Sequence, residues 1–153
     1  MVTVKENVNY PIISSNAWWA LRRKLSQTPS LRITDSSLAT VLSMKPISAK
    51  NLISPLRKIG LIDSEGKPTE RALRWRNDSQ YPQVCEEIRK EIYPEELLDL
   101  FSDPDISRSS LEDWFANTAA VGESAKKSMA AFYLLLTDAD PTKQDSTNSS
   151  AKN

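Results

Sequence analysis

The sequence predicts a mainly α protein in two parts. A basic lobe over residues 14–78 carries a short β-hairpin near its end, and an acidic helical lobe follows over residues 79–137. Three observations predict it. Apolar residues recur at helical spacing through most of the chain. Only three glycines occur, Gly60, Gly66 and Gly122, and each falls where a helix or turn should be punctuated. Finally, a formal net charge of zero conceals a division. Residues 1–76 hold 13 Lys/Arg against 5 Asp/Glu, and residues 77–153 hold 7 against 15.

Residues 1–13 read as an extended lead-in, because the pair Tyr10-Pro11 disfavours helix. Ser14 or Ser15 can cap a first helix through about Gln27, with Trp18, Leu21 and Leu25 on one face and Arg22 at its border. Leu31-Arg32-Ile33 alternates like a brief strand. Thr34 can cap a second helix from Asp35 to about Ser43, striped by Leu38, Val41 and Leu42. Lys45-Pro46-Ile47 is expected as a turn. Ser48 then caps a third helix from Ala49 to Ile59, which Gly60 stops in the left-handed conformation. Leu61 to Thr69 spell strand, turn and edge strand, with Pro68 tolerated only at an edge. A fourth helix runs from Glu70 to Arg76, capped by Thr69.

Helix, strand, helix, turn, helix, hairpin is the winged helix-turn-helix layout. The run from Trp18 through Ser48-Ala49-Lys50-Asn51-Leu52, Leu56-Arg57-Lys58-Ile59-Gly60-Leu61-Ile62-Asp63 and Gly66-Lys67-Pro68-Thr69 resembles a poorly characterised prokaryotic winged-helix family. Members of that family carry a helical C-terminal extension, so the resemblance spans roughly residues 10–137. It implies a fold. The family has no established activity, so it implies no functional residues.

Beyond the hairpin, Val84, Cys85, Ile88 and Ile92 form one apolar stripe, and Leu97, Leu98 and Phe101 the next. Asp103-Pro104-Asp105 is expected as a loop. Leu111, Trp114, Phe115 and Thr118 mark a further helix, and Ala125, Met129, Phe132, Tyr133 and Leu136 a final one. Residues 138–153 are polar with almost nothing to bury, so a disordered tail is expected there.

At ~100° per residue, Ala49, Leu52, Ile53, Leu56 and Ile59 share one face of the third helix. Lys50, Asn51, Ser54 and Lys58 fall opposite, with Arg57 at the border. Lys and Arg suit phosphate, and Asn or Arg suits base edges in a major groove. Residues near a recognition helix's amino end usually reach the bases, which favours Lys50, Asn51 and Ser54. Lys67 at the hairpin and Arg71 and Arg74 beyond it extend the basic surface. The plain alternatives are a solvated helix face and arginines that pair with the acidic half around a plugging Trp75. Trp19 likewise either packs or marks a partner surface. Pro55 counts against a regular third helix, since it removes one backbone bond.

No histidine is present and Cys85 is the single cysteine. Ser-His-Asp hydrolysis, Cys/His nucleophiles and zinc fingers are excluded, as is an internal disulfide. The carboxylates from Glu86 to Asp113 sit opposite apolar stripes as solvated faces, and Glu65-Gly66-Lys67 reads as a turn rather than a nuclease motif. No cofactor or metal is expected, nor an enzyme. No apolar run approaches the ~20 residues of a membrane span, and the first residues lack the layout of a secretory signal. The expectation is a cytoplasmic, DNA-binding transcriptional regulator that forms a homodimer or meets a protein partner through residues 79–137. The alternative is a non-enzymatic adaptor that uses the basic lobe against protein, conceivably in a defence or toxin-neutralising system.

Overall fold

A computed structural model describes residues 10–101 and 107–142. Within them the chain forms α1 (Ser15–Gln27), α2 (Asp35–Leu42), α3 (Pro46–Lys58) and α4 (Glu70–Trp75), then α5 (Tyr81–Ile92), α6 (Glu95–Leu100), α7 (Arg108–Ala119) and α8 (Glu123–Asp138). The loop at Asp103–Asp105, most of the lead-in and residues 143–153 of the expected tail lie outside the described residues.

Side-chain caps start several helices where the sequence indicated. The Ser14 hydroxyl accepts the Ala17 amide at 3.2 Å. Thr34 and Ser37 form a reciprocal capping box on α2. Thr69 Oγ1 accepts the Ala72 amide and donates to the Gly60 carbonyl, so one hydroxyl starts α4 and ties it to the end of α3. α3 itself begins earlier than expected. Pro46 occupies its first turn, where a missing N–H costs nothing and a fixed φ suits the helix. Its far end closes as expected: Gly60 is left-handed (φ 83°), its amide reaches Arg57, and the Leu61 amide reaches Leu56.

The expected β-hairpin wing is not present, nor is a strand at Leu31–Ile33. Among the described residues the only β pairing is an isolated antiparallel bridge between Ile62 and Pro68. Mainly α stands, and winged helix-turn-helix is corrected. The reason lies in where the backbone donors go. Across the turn the Asp63 amide donates to the Lys67 carbonyl and the Thr69 amide to the Leu61 carbonyl. The returning donors are spent elsewhere: the Lys67 amide goes to the Asp63 carboxylate at 3.0 Å and the Leu61 amide to the Leu56 carbonyl at 3.1 Å. A ladder needs those donors. Segment 61–69 is therefore a tight turn, fastened to the body by the Ile33 amide donating to the Gly66 carbonyl at 2.7 Å. A side chain at Gly66 would lie 2.4 Å from the Ile33 carbonyl oxygen, so glycine permits that approach.

One hydrophobic core crosses both charge halves. Trp18 stands at its middle, donating from Nε1 to the Tyr81 hydroxyl at 2.7 Å and packing edge-on against Trp75 and Phe132. It thereby joins α1 and α4 to α5 and α8. Tyr10 enters the same core, stacked on Tyr93 and edge-on to Phe115, so the end of the lead-in is anchored on the acidic half. Trp19 and Trp75 are buried, which gives the packing reading of both.

Candidate nucleic-acid interface

α3 is amphipathic as its period requires. Ala49, Leu56 and the capping Ile59 are buried, and Leu52 and Ile53 pack partly against the core. Its other face is open: Lys50, Asn51, Ser54, Arg57 and Lys58 are all exposed. From Lys45 to Lys58 the chain has four cations and no carboxylate. Among the described residues no salt bridge holds Lys45, Lys50 or Arg57; Arg57 makes only a long 3.4 Å contact with the Asp63 carbonyl. Pro55 lies inside α3, which continues through it to Lys58. Pro55 has no amide for the Asn51 carbonyl one turn back, so that bond is missing from the helix.

The helix pair that presents this face is tightly built. Ser43 takes a left-handed conformation at the end of α2, and the Met44 amide bonds the Ala39 carbonyl at 3.0 Å. The turn is thus confined to Ser43, Met44 and Lys45, and α2 packs on α3 more extensively than any other two helices pack. Beside α3, Tyr10, Pro11 and Ile12 border a groove of about 410 Å³ with Asn51, Ser54 and Lys58 on its opposite wall.

The remaining candidates are placed differently. Lys67 is exposed on the 61–69 turn, 3.5 Å from Glu65, so its charge is offset locally. Asp63 in the same turn is held below the usual carboxylate range, chiefly by the Lys67 amide and then by that of Glu65. It remains anionic near any phosphate. Arg71 and Arg74 are not on the α3 face. Arg74 forms two parallel bonds of 3.0 Å with Glu87, and Arg71 bonds Glu91 through both terminal nitrogens. Arg71 Nη1 also donates to the Ile59 carbonyl at 2.9 Å, at the carboxyl end of α3. A side chain at Gly60 would crowd that nitrogen at 2.8 Å. Hydrogen bonding from Arg71 lowers the Glu91 pKa and from Arg74 that of Glu87; both arginines are raised in return. These two arginines form a seam between the charge halves.

Two residues are more telling than the sequence suggested. Arg22, expected only at a border, is buried, with Nε on the Trp75 carbonyl at 2.8 Å and Nη2 on Asp78 at 2.7 Å. Its guanidinium lies 4.5 Å from the centre of the Tyr81 ring. An arginine one position from the core residue Leu21 was the available signal. Ile47, expected in a turn, is on α3 and 65% exposed. Cys85 is buried and desolvation pushes its thiol up to about 12, as a packing residue should be.

The arrangement offers a cationic helix face for a polyanion. Among the described residues no group of three His, Cys, Asp or Glu side chains could hold a metal ion. No helix there is long and apolar enough to cross a membrane. Comparison with curated proteins and with solved structures finds no match. Residues 21–146, most of the 153, match a family of unknown function (DUF5343), and the chain belongs to that family.

Proposed function

We propose that the chain binds duplex DNA, presenting the exposed face of α3 to the major groove as a cytoplasmic transcriptional regulator. The observation that carries this is the α3 surface, cationic, solvent-exposed and free of carboxylates from Lys45 to Lys58. A duplex carries one negative charge per ~1.7 Å of axis, and a helix of this width fits its major groove. Lys50, Asn51 and Ser54 address bases, while Arg57, Lys58 and Lys45 address phosphates. Arg71 contributes by holding the end of α3, and Arg74 by holding α4 to α5, rather than by touching DNA.

Fluorescence anisotropy on a random duplex across a salt series tests the reading. With roughly three phosphate contacts, affinity should fall with a log–log salt slope near −2.7, about −0.9 per contact. No binding at about 50 mM salt ends it.

For assembly, we assign residues 79–137 to a self-contact. Leu100 on α6 is 60% exposed there, an apolar residue among acidic ones. Light scattering of the purified chain checks this, and a strictly monomeric species at high concentration rejects it. An adaptor role remains the second reading of the same α3 face. Its signature is a protein partner lost on charge reversal at Lys50 and Lys58 in a chain that binds no duplex.

A further inference from the structure

Starting α3 at Pro46 brings Ile47 onto the helix. At ~100° per residue Ile47 falls within the arc that holds Lys50, Asn51, Ser54 and Lys58, opposite the buried Ala49 and Leu56. It is the apolar member of that solvent face, β-branched and 65% exposed. Its side chain gains nothing from the core. The amino end around it is also uncovered, because α3 has no side-chain cap, unlike α1, α2, α4 and α7. This is the end of a recognition helix that reaches furthest toward base edges.

Among the chemical features a major groove displays, one is apolar: the C5-methyl group of thymine. We infer that Ile47 determines specificity by packing on a thymine methyl, next to an edge contact made by Asn51. The inference rests on the DNA-binding reading and deepens it. Positions 47 and 51 lie one turn apart on the same face, with Cβ atoms about 5–6 Å from each other. That separation spans one to two stacked base pairs at ~3.4 Å each. The Asn51 amide supplies the acceptor and donor that match adenine N6 and N7. The preferred site therefore contains thymine and adenine within two base-pair steps.

The experiment uses the full chain. Selection from a random duplex library defines the preferred site, and each thymine in it is then replaced singly by deoxyuridine, which lacks only the methyl group. Anisotropy should show wild-type affinity falling roughly 3–5-fold at one or two positions, as expected for one buried methyl group. Ile47→Ala should bind the thymine duplex more weakly by a similar factor and ignore the replacement. Ile47→Val should retain the thymine preference. Equal affinity of the wild-type chain for thymine and uracil duplexes at every position overturns the inference. So does an undiminished uracil penalty in Ile47→Ala. Failure of the wild-type chain on every thymine duplex at about 50 mM salt instead overturns the DNA-binding reading and takes this one with it.

Discussion

Two groups of cations from the same basic half end in opposite surroundings. On α3 and at its amino-terminal cap, Lys45, Lys50 and Arg57 face solvent with no carboxylate between Lys45 and Lys58. Within twenty residues of the end of α3, Arg71 and Arg74 have side chains 17% and 24% exposed and bonded to Glu87 and Glu91. The excess charge of a segment therefore does not measure the charge it offers a ligand. Long-range neutralisation decides that, and here it removes Arg71 and Arg74 while leaving the α3 cations exposed. The seam and the open face also differ in what holds them. The seam joins residues of both halves through paired charges, while α3 rests on α2 and the core and is tied at its carboxyl end by Thr69 and Arg71.

Removing the aromatic packing that spans both halves gives the largest expected effect. Trp18→Ala deletes a side chain in contact with Trp75, Tyr81 and Phe132 and takes the indole donor from the Tyr81 hydroxyl. It should cost about 3–5 kcal/mol, read as a lower urea midpoint. Because the core is shared, fluorescence and circular dichroism of the wild-type chain should report one coincident transition. Separate transitions for the two halves would break the picture of a common core.

Arg71→Ala attacks the seam itself. It removes the bonds to Glu91 and to the Ile59 carbonyl, for an expected loss of about 1–2 kcal/mol given partial solvent screening. DNA affinity should change little at temperatures where the variant stays folded. If affinity falls as steeply as in an α3 variant while stability holds, Arg71 belongs to the interface after all.

Lys50→Ala is the converse. Its stability should stay within about 0.5 kcal/mol of wild type, since an exposed cation is removed from a helix surface. Affinity for the preferred duplex should fall roughly 5-fold or more, and much less on unrelated duplexes, because Lys50 is assigned to a base edge. A uniform loss across sequences, with the salt slope shallower by roughly 0.9, would move Lys50 from a base edge to the backbone.

Much of this was legible in the chain before any coordinates. The apolar period of α3 placed Ala49, Leu56 and Ile59 inside, and Ser14, Thr34 and Thr69 announced their helices, because caps and periodicity are local properties. Three features escaped for physical reasons. Pro46 suits a turn and a first helical turn equally well, so the amino end of α3, and Ile47 with it, was hidden. The hairpin depended on whether the Asp63 carboxylate or a partner strand would take the Lys67 amide, which composition cannot decide. That Arg71 and Arg74 pair with the acidic half was one of two open readings, but their partners Glu91 and Glu87, 20 and 13 positions away, are a matter of packing rather than pattern.

The smallest effect concerns acid, and it separates seam from face by titration alone. Glu87 and Glu91 carry folded-state pKa values below the ordinary 4.5, first because Arg74 and Arg71 hydrogen-bond their charged forms. A depressed carboxylate contributes stability that is fully present above the unfolded value and is lost as pH falls through the folded one. Urea midpoints should therefore decline faster below about pH 4.5 in the wild-type chain than in a Glu87→Gln, Glu91→Gln variant. At neutral pH the variant should be the less stable of the two, and the curves should converge as acid protonates the wild-type pair. The face should take no part in that difference, since no carboxylate lies between Lys45 and Lys58. Parallel curves down to about pH 3 would mean that the two ion pairs contribute nothing to folding and merely sit together on a surface. The cations of the seam would then be as available to a polyanion as those of α3.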